Sequence, residues 1–347
     1  MSVLKQPKPA SADSRKTTAR LPPLMLYTPE KVAEHTPCTM HLNVLPQELA
    51  CRLFYTMMGL SVDWKPNKWW LFDRVVESPH VTSFFARKDI GDASKLYEVA
   101  AMSWYNGRKR DPPATFPEPM EEACRIVEKV VNDELAKRKR YPLEWGGDAG
   151  WKANVAASNR YAGGKDGVGW HSDQLNNLGP YPTIASLSLG VRRNFGLREV
   201  IPSDEKKTRQ PRTFYISLPH NSLTIMHASC QERFKHSIPQ QSSIDIYKPA
   251  FPPESGEKIQ EYNSRINITF RFYRPDFACD RNPVCKCGLP MILRPDMKNR
   301  VDDKVNKYWW TCYAGAQNDG KGCDLWQVMD MEKEGRGPLV GDLSRAK

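Results

Sequence analysis

Arg265-Ile266-Asn267-Ile268-Thr269-Phe270-Arg271-Phe272 alternates without a break, placing Arg, Asn, Thr and Arg on one face of an extended chain and Ile, Ile, Phe and Phe on the other. The apolar face requires burial. The polar face admits two readings. If solvated, it makes this an ordinary amphipathic edge strand. If turned into a barrel, it buries two guanidiniums, which is tolerable only with anionic partners. A small dicarboxylate supplies two carboxylates, each suited to a planar arginine fork.

Outward from this stretch, short strands separated by turns are expected at Trp151–Tyr161, Thr183–Leu189, Asn194–Arg198, Thr213–Ser217, Ser222–His227 and Ser243–Tyr247, with the alternating stretch extending to Tyr273. Two amphipathic helices precede them, Pro46–Met58 and Glu121–Lys139, the second with Ala123, Ile126, Val127, Val130, Val131 and Leu135 on one face. Strands following helices predict a mainly β fold, a barrel or jelly roll braced by helices on one side. Residues 1–36 read as a disordered basic tail, and Asp276–Pro283 as a linker. The segment from Val284 to about Asp330 is too short for a core of its own and requires a metal staple.

The 347 residues carry a formal net charge of +11, which makes nucleic acid a plausible partner, although a merely basic protein has the same balance. No apolar run is long enough to span a bilayer, so no membrane association is expected, and the N-terminus lacks the apolar core of a secretory signal. The run Lys137-Arg138-Lys139-Arg140 reads equally as a nuclear localisation signal and as a solvated helix end. A nuclear or cytoplasmic monomer is the expectation. Nine cysteines, four of them crowded at Cys285, Cys287, Cys312 and Cys323, point to thiols and metal, not disulfides.

His171-Ser172-Asp173 places two ligand side chains at i and i+2, and His236 follows 65 positions later. Two histidines and a carboxylate form a facial triad suited to non-haem iron, with three adjacent positions open. The H-x-D triplet alone is weak, and a pair of surface loop residues is the bland alternative. His227 is a rival ligand that lacks the His-x-Ile-Pro continuation of His236; His220 reads as a surface turn residue, and Asn221 as tolerant of a left-handed conformation.

Taken together, Asn159-Arg160-Tyr161, His171-Ser172-Asp173, Ile184–Gly190, His236-Ser237-Ile238-Pro239 and R-x-N-x-T-x-R at 265–271 resemble, in order, the motifs of the AlkB family of iron- and 2-oxoglutarate-dependent dealkylases, especially its nuclear DNA-repair members. The resemblance covers about residues 44–274. It implies a double-stranded β-helix (jelly-roll) core at about 150–275 within an oxygenase domain at 37–275. It also implies a substrate lid at about 68–113, iron(II) on His171, Asp173 and His236, and oxygen as co-substrate. 2-Oxoglutarate would meet Asn159, Tyr161, Asn267 and Thr269, with Arg265 on its distal carboxylate and Arg271 on the carboxylate nearest the iron. Oxidative removal of a methyl group from a base in DNA, or in RNA, would release succinate and formaldehyde.

A methylated base must be flipped out of a duplex or already single-stranded to reach a buried metal. Phe84, Phe85, Trp104 and Tyr105, near basic residues, are the stacking candidates, against a bland reading as core aromatics. Just after the H-x-D, repair members of the family commonly carry acidic residues facing the cationic base; here Gln174 and Leu175 stand there, which leaves the preferred base open. The segment 285–330 resembles a GRF-type zinc finger, with Cys285, Cys287, Cys312 and Cys323 as structural zinc ligands. Lys307, Trp309, Trp310 and Trp326 would then meet single-stranded DNA, with at least one tryptophan in the core. Residues 331–347 read as a tail. The same chemistry on RNA or protein, and an inactive single-strand-binding adaptor, are the alternatives.

Overall fold

In the computed structural model, which describes residues 21–88, 104–105, 108–109, 111–301, 305 and 307–341, the alternating stretch is strand β15 (Ser264–Arg271). It is hydrogen-bonded on both sides, to β10 (Ile184–Gly190) and to β8 (Val155–Ala162). The edge-strand reading is therefore excluded. Ile266, Ile268 and Phe270 pack with helices α2 (Gln47–Leu60) and α3 (Glu118–Ala136), while Arg265, Asn267 and Thr269 are buried on the opposite face. Each fully buried Ile or Phe on the helix side contributes about 1.5–3 kcal/mol relative to exposure.

The sheet containing β15 runs in the order β2 (Cys38–Leu42), β13 (Ser222–Met226), β10, β15, β8, β4 (Arg74–Ala86) and β3 (Lys65–Leu71), with β7 (Ala114–Thr115) parallel to β4. A second sheet runs β1 (Leu24–Leu26), β12 (Thr213–Leu218), β11 (Arg193–Glu199), β14 (Phe234–Ile238) and β9 (Val168–His171). The two sheets share one core: Met40, Tyr161, Ile184 and Met226 of the first cluster with Phe195, Leu197, Phe214, Ile216 and Ile238 of the second. The fold is mainly β, a jelly-roll sandwich with α2 and α3 on the outer face of the larger sheet.

Strands β9 and β14 were not expected. In β14 the inward residues are Phe234, His236 and Ile238, so a histidine interrupts the apolar period that marks a strand. The expected strand Ser243–Tyr247 is absent except for a bridge between Tyr247 and Tyr262. The N-terminal reading also changes. Residues 1–20 lie outside the described residues, but β1 pairs in parallel with β12, and helix α1 (Pro29–His35) starts on a Thr28 side-chain cap.

The linker reading is corrected as well. Pro275–Phe277 and Cys279–Arg281 form 3-10 turns, and Phe277 is fully buried. Beyond them, β16 (Ile292–Pro295), β17 (Tyr308–Thr311) and β18 (Trp326–Val328) form a small sheet whose Leu293, Tyr308 and Trp310, with Val305 just before β17, share a cluster with Leu175, Leu178 and Tyr181 of the sandwich. The segment has no core of its own because it completes the core beside it. Backbone bonds seal the junction: Gly146 N–H to the Pro338 carbonyl at 2.9 Å and Val340 N–H to that of Glu144 at 3.0 Å.

Candidate metal centre and carboxylate cradle

His171 ends β9, and His236 sits directly opposite it on β14, in register. Their rings lie 4.2 Å apart, and Asp173 follows two residues after His171. One ligand atom from each of the three falls within 4.8 Å of the others, a spacing one ion can bridge. His171 Nδ1 meets the Gly169 carbonyl at 2.9 Å, which turns Nε2 towards the centre. Ser172 Oγ donates to the Phe234 carbonyl at 3.1 Å, and Asp173 N–H donates to Gln231 Oε1 at 2.8 Å. The ligand-bearing turn is thus pinned at two successive residues.

Arg271 donates from Nε and Nη2 to Asp173 Oδ2 at 2.9 and 2.7 Å, while Oδ1 faces His236 Nε2 at 3.6 Å. Burial alone would raise the Asp173 carboxyl, but the Arg271 guanidinium and His236 outweigh it and hold the group well below the usual carboxylate range. Burial, then His236, push His171 down to about 4. At neutral pH the cluster therefore offers a carboxylate oxygen and a neutral imidazole, the states that bind a divalent cation. The donor set and its protonation fit iron(II).

Further along β15 lies the second half of the site. Arg265 is 1% exposed and gives Nη2 to Ser188 Oγ at 2.8 Å, yet Nε and Nη1 are buried without hydrogen-bond partners. Its guanidinium sits 5.4 Å from the centre of the Tyr161 ring, and burial lowers it to about 10. A buried cation whose donors are not all satisfied is a site for an anion, and a carboxylate suits it. Asn267 Nδ2 donates to Ser186 Oγ at 2.8 Å, and Thr269 Oγ1 donates to Asn267 Oδ1 at 3.1 Å. Asn159 and Tyr161 on β8 stand opposite Asn267 and Arg265 in register. The predicted 2-oxoglutarate residues thus occupy one wall, bounded by Arg265 at one end and the triad at the other.

Three contributors were not among the expected site residues, although two of them lie within the Ile184–Gly190 motif. Ser186 and Ser188 alternate along β10 as the polar residues do along β15, so the same period would have found them. Gln231 carries no such signal, since it lies far from Asp173 in the chain. His227 and His220 are structural. His227 Nε2 meets Thr39 Oγ1 at 2.9 Å. His220, contrary to a surface turn, stacks on Tyr247 with ring centres 4.4 Å apart and accepts from Gly190 N–H at 3.0 Å. Asn221 does adopt φ +57°, and its side chain bonds both the N–H and the carbonyl of Leu45.

The sulfurs of Cys285, Cys287, Cys312 and Cys323 also gather within 4.8 Å of one another, and none of the nine cysteines is in a disulfide. Four thiols at this spacing fit a tetrahedral zinc ion.

The substrate candidates divide. Phe84 is half-buried on β4 opposite Ala157, and Phe85 is core, packed on Trp64. Strand β5 (Trp104–Tyr105) pairs through its backbone with β6 (Arg108–Lys109), and their side chains lie outside the described residues. Gln174 is half-buried, but Leu175 is 0% exposed and its N–H bonds the Leu293 carbonyl at 3.3 Å, so it faces the C-terminal segment and not a base. Lys307 is exposed and Trp309 half-buried, whereas Trp310 is 0% exposed, donating to Glu334 at 3.2 Å beneath the Arg336 guanidinium. Trp310 is a core residue. Trp326 is 64% exposed, and Phe72, at the β3–β4 turn, is 90% exposed at φ +59°. In the basic run, Arg138 and Arg140 are both held by the buried Glu144, at 2.7 and 2.6 Å.

The family model described as the 2OG-Fe(II) oxygenase superfamily matches residues 38–271, more than half of the chain. The human alpha-ketoglutarate-dependent dioxygenase alkB homolog 3 is 33% identical over 133 residues, 37% of this chain and 40% of that protein. The DNA oxidative demethylase ALKBH2 of Arabidopsis thaliana is 29% identical over 137 residues, covering 35% and 38%, and its human counterpart 30% over 125 residues, covering 36% and 41%. The chain thus spans about two fifths of the length of these relatives. With the match running from β2 to the end of β15, through all three triad residues and both arginines, the chain belongs to the 2OG-Fe(II) oxygenase superfamily.

Proposed function

We propose that this chain removes alkyl groups oxidatively from N-alkylated bases in DNA, using iron(II), 2-oxoglutarate and oxygen and releasing succinate and formaldehyde. One observation carries the reading. A single strand bears Arg271, locked onto a ligand of the triad, and Arg265, a buried guanidinium with two idle donors. Such a strand is built to hold a dicarboxylate beside a metal. His171, Asp173 and His236 would hold the iron, which supplies the oxidising chemistry when bound. Arg265, with Ser188 behind it, would bind the distal carboxylate, and Asn159, Tyr161, Asn267 and Thr269 would orient the chain of the co-substrate. Arg271 fixes Asp173 through Oδ2, leaves Oδ1 for the metal, and stands ready for the near carboxylate.

The alkB homologues named above support a nucleic-acid substrate, as do the +11 charge, the exposed Phe72 between Lys68 and Arg74, and the exposed Trp326. Gln174 offers a neutral amide next to the triad, which favours a cationic base less than a carboxylate would. The four thiols would bind zinc, and the segment they staple would contribute single-strand contacts through Lys307, Trp309 and Trp326. A nuclear site of action follows from a DNA substrate.

The test is direct. Purified protein with iron(II) and 2-oxoglutarate is given methylated oligonucleotides, single- and double-stranded, DNA and RNA, and methyl loss is followed by mass spectrometry. Methyl loss from DNA, abolished in His171→Ala, is expected. Decarboxylation of 2-oxoglutarate without demethylation of any oligonucleotide would overturn the nucleic-acid reading and leave the oxygenase intact.

A further inference from the structure

The loop between the third and fourth cysteines grips the β3–β4 hairpin. Gln317 Nε2 donates to the Lys68 carbonyl at 2.9 Å. Gly320, at φ +77°, lies so close to the hairpin that a Cβ there would stand 2.8 Å from Trp70 Nε1. The Trp70 Nε1 is buried here without a hydrogen-bond partner, so the loop packs closely enough to shut this group off from solvent.

The hairpin needs such support. Strand β4 pairs with β8 only over Val81–Ala86, whereas its outer part, Arg74–Glu77, pairs only with β3 among the described residues. A two-stranded ribbon alone is at best marginally stable in water. Its turn displays Leu71, Phe72 and Val75, all exposed, with Lys68 and Arg74 beside them. The loop itself is closed by its own backbone, Gly320 N–H to the Gly315 carbonyl at 3.1 Å and Lys321 N–H to that of Asn318 at 2.7 Å. Its two ends are Cys312 and Cys323, and Gly322 packs on Cys312 Sγ.

We propose that this loop is a positioning element for the hairpin, so that metal held by the four thiolates fixes where the apolar, basic hairpin turn meets a nucleic-acid strand. The inference rests on the zinc reading above. It makes the cysteine cluster part of the substrate groove, where a tether would only raise local concentration. Because β4 continues into the pairing of Thr82 with Asn159, the hairpin is also tied to the wall of the 2-oxoglutarate site.

The experiment is hydrogen exchange of the full chain, zinc-loaded and zinc-stripped, with zinc content measured in parallel. Amides of residues 68–77 should exchange about tenfold or more faster after stripping, since local opening of a ribbon follows the loss of its contacts. Gly320→Val should retain zinc and basal 2-oxoglutarate decarboxylation, yet show the same faster exchange and a raised KM for oligonucleotide. If Gly320→Val does not fold, Gln317→Ala provides the same comparison through the Lys68 bond. Bound zinc with unchanged hairpin exchange overturns this proposal alone. Failure to bind zinc overturns it together with the zinc reading.

Discussion

Replacing Arg265 by Met separates a ligand-binding arginine from a structural one. Its side chain is fully buried, and Nε and Nη1 have no partners within the protein. Each buried unsatisfied donor costs about 1–3 kcal/mol. The favourable contacts are the bond to Ser188 and the Tyr161 ring beneath it, together about 1.5–3 kcal/mol. Methionine removes the charge and the idle donors, keeps much of the volume, and leaves Ser188 Oγ without its donor. The two sides are of similar size, so the variant should not be destabilised by more than about 3 kcal/mol. The effect on 2-oxoglutarate should be large. Loss of a buried charged pair costs about 2–5 kcal/mol, a rise in Kd of about 30-fold to several thousand-fold. Thermal unfolding with and without 2-oxoglutarate reads both quantities, since ligand at a hundred times its Kd stabilises by about 2.7 kcal/mol. The variant should unfold near the parent temperature and lose the 2-oxoglutarate shift. A ligand-free variant destabilised by more than about 3 kcal/mol, or one that keeps the full shift, would refute the cradle.

The remaining expectations are compact. Burial lowers His171, His220 and His227 to about 4 and raises Glu232 to about 7. Between about pH 4.5 and 6.5 the unfolded chain binds more protons at these histidines, and fewer at Glu232, than the folded chain does. Metal-free stability should thus rise with pH there, with half-buried His41 and buried His80 adding in the same direction, and chemical denaturation giving a flat profile would show the histidines are not buried neutral. Gln231→Ala removes the acceptor for Asp173 N–H and should weaken iron(II) binding by about tenfold in a calorimetric titration, with global stability little changed; unaltered affinity would deny it a positioning role. Trp310→Ala should cost about 3–5 kcal/mol of stability, whereas Trp326→Ala should leave stability intact and weaken single-strand binding; the reverse pattern would exchange their assignments.

The alternation at 265–271 determined more than any other feature. A strict period of two fixes which side chains share a face whatever the rest of the fold does. Two arginines among them imply an anion wherever that face is buried. Local chemistry likewise marked His171, Asp173 and His236, the four cysteines, and helices whose apolar stripes need a sheet to cover. Whether the polar face was buried could not be read from the strand itself, because an edge strand and a central one share the same pattern; the pairing of β15 with both β8 and β10 decided it.

Contacts between residues distant in the chain belong to the tertiary structure alone. Gln231 beneath Asp173, Leu175 turned onto Leu293, Trp310 sealed by Arg336, and the loop 312–323 against Trp70 each join segments that no local period relates. A short cysteine-rich tail reads as a separate module because it lacks apolar residues enough for its own core. Only packing shows that it borrows the core of the sandwich, since burial depends on what a side chain meets and not on its neighbours in sequence.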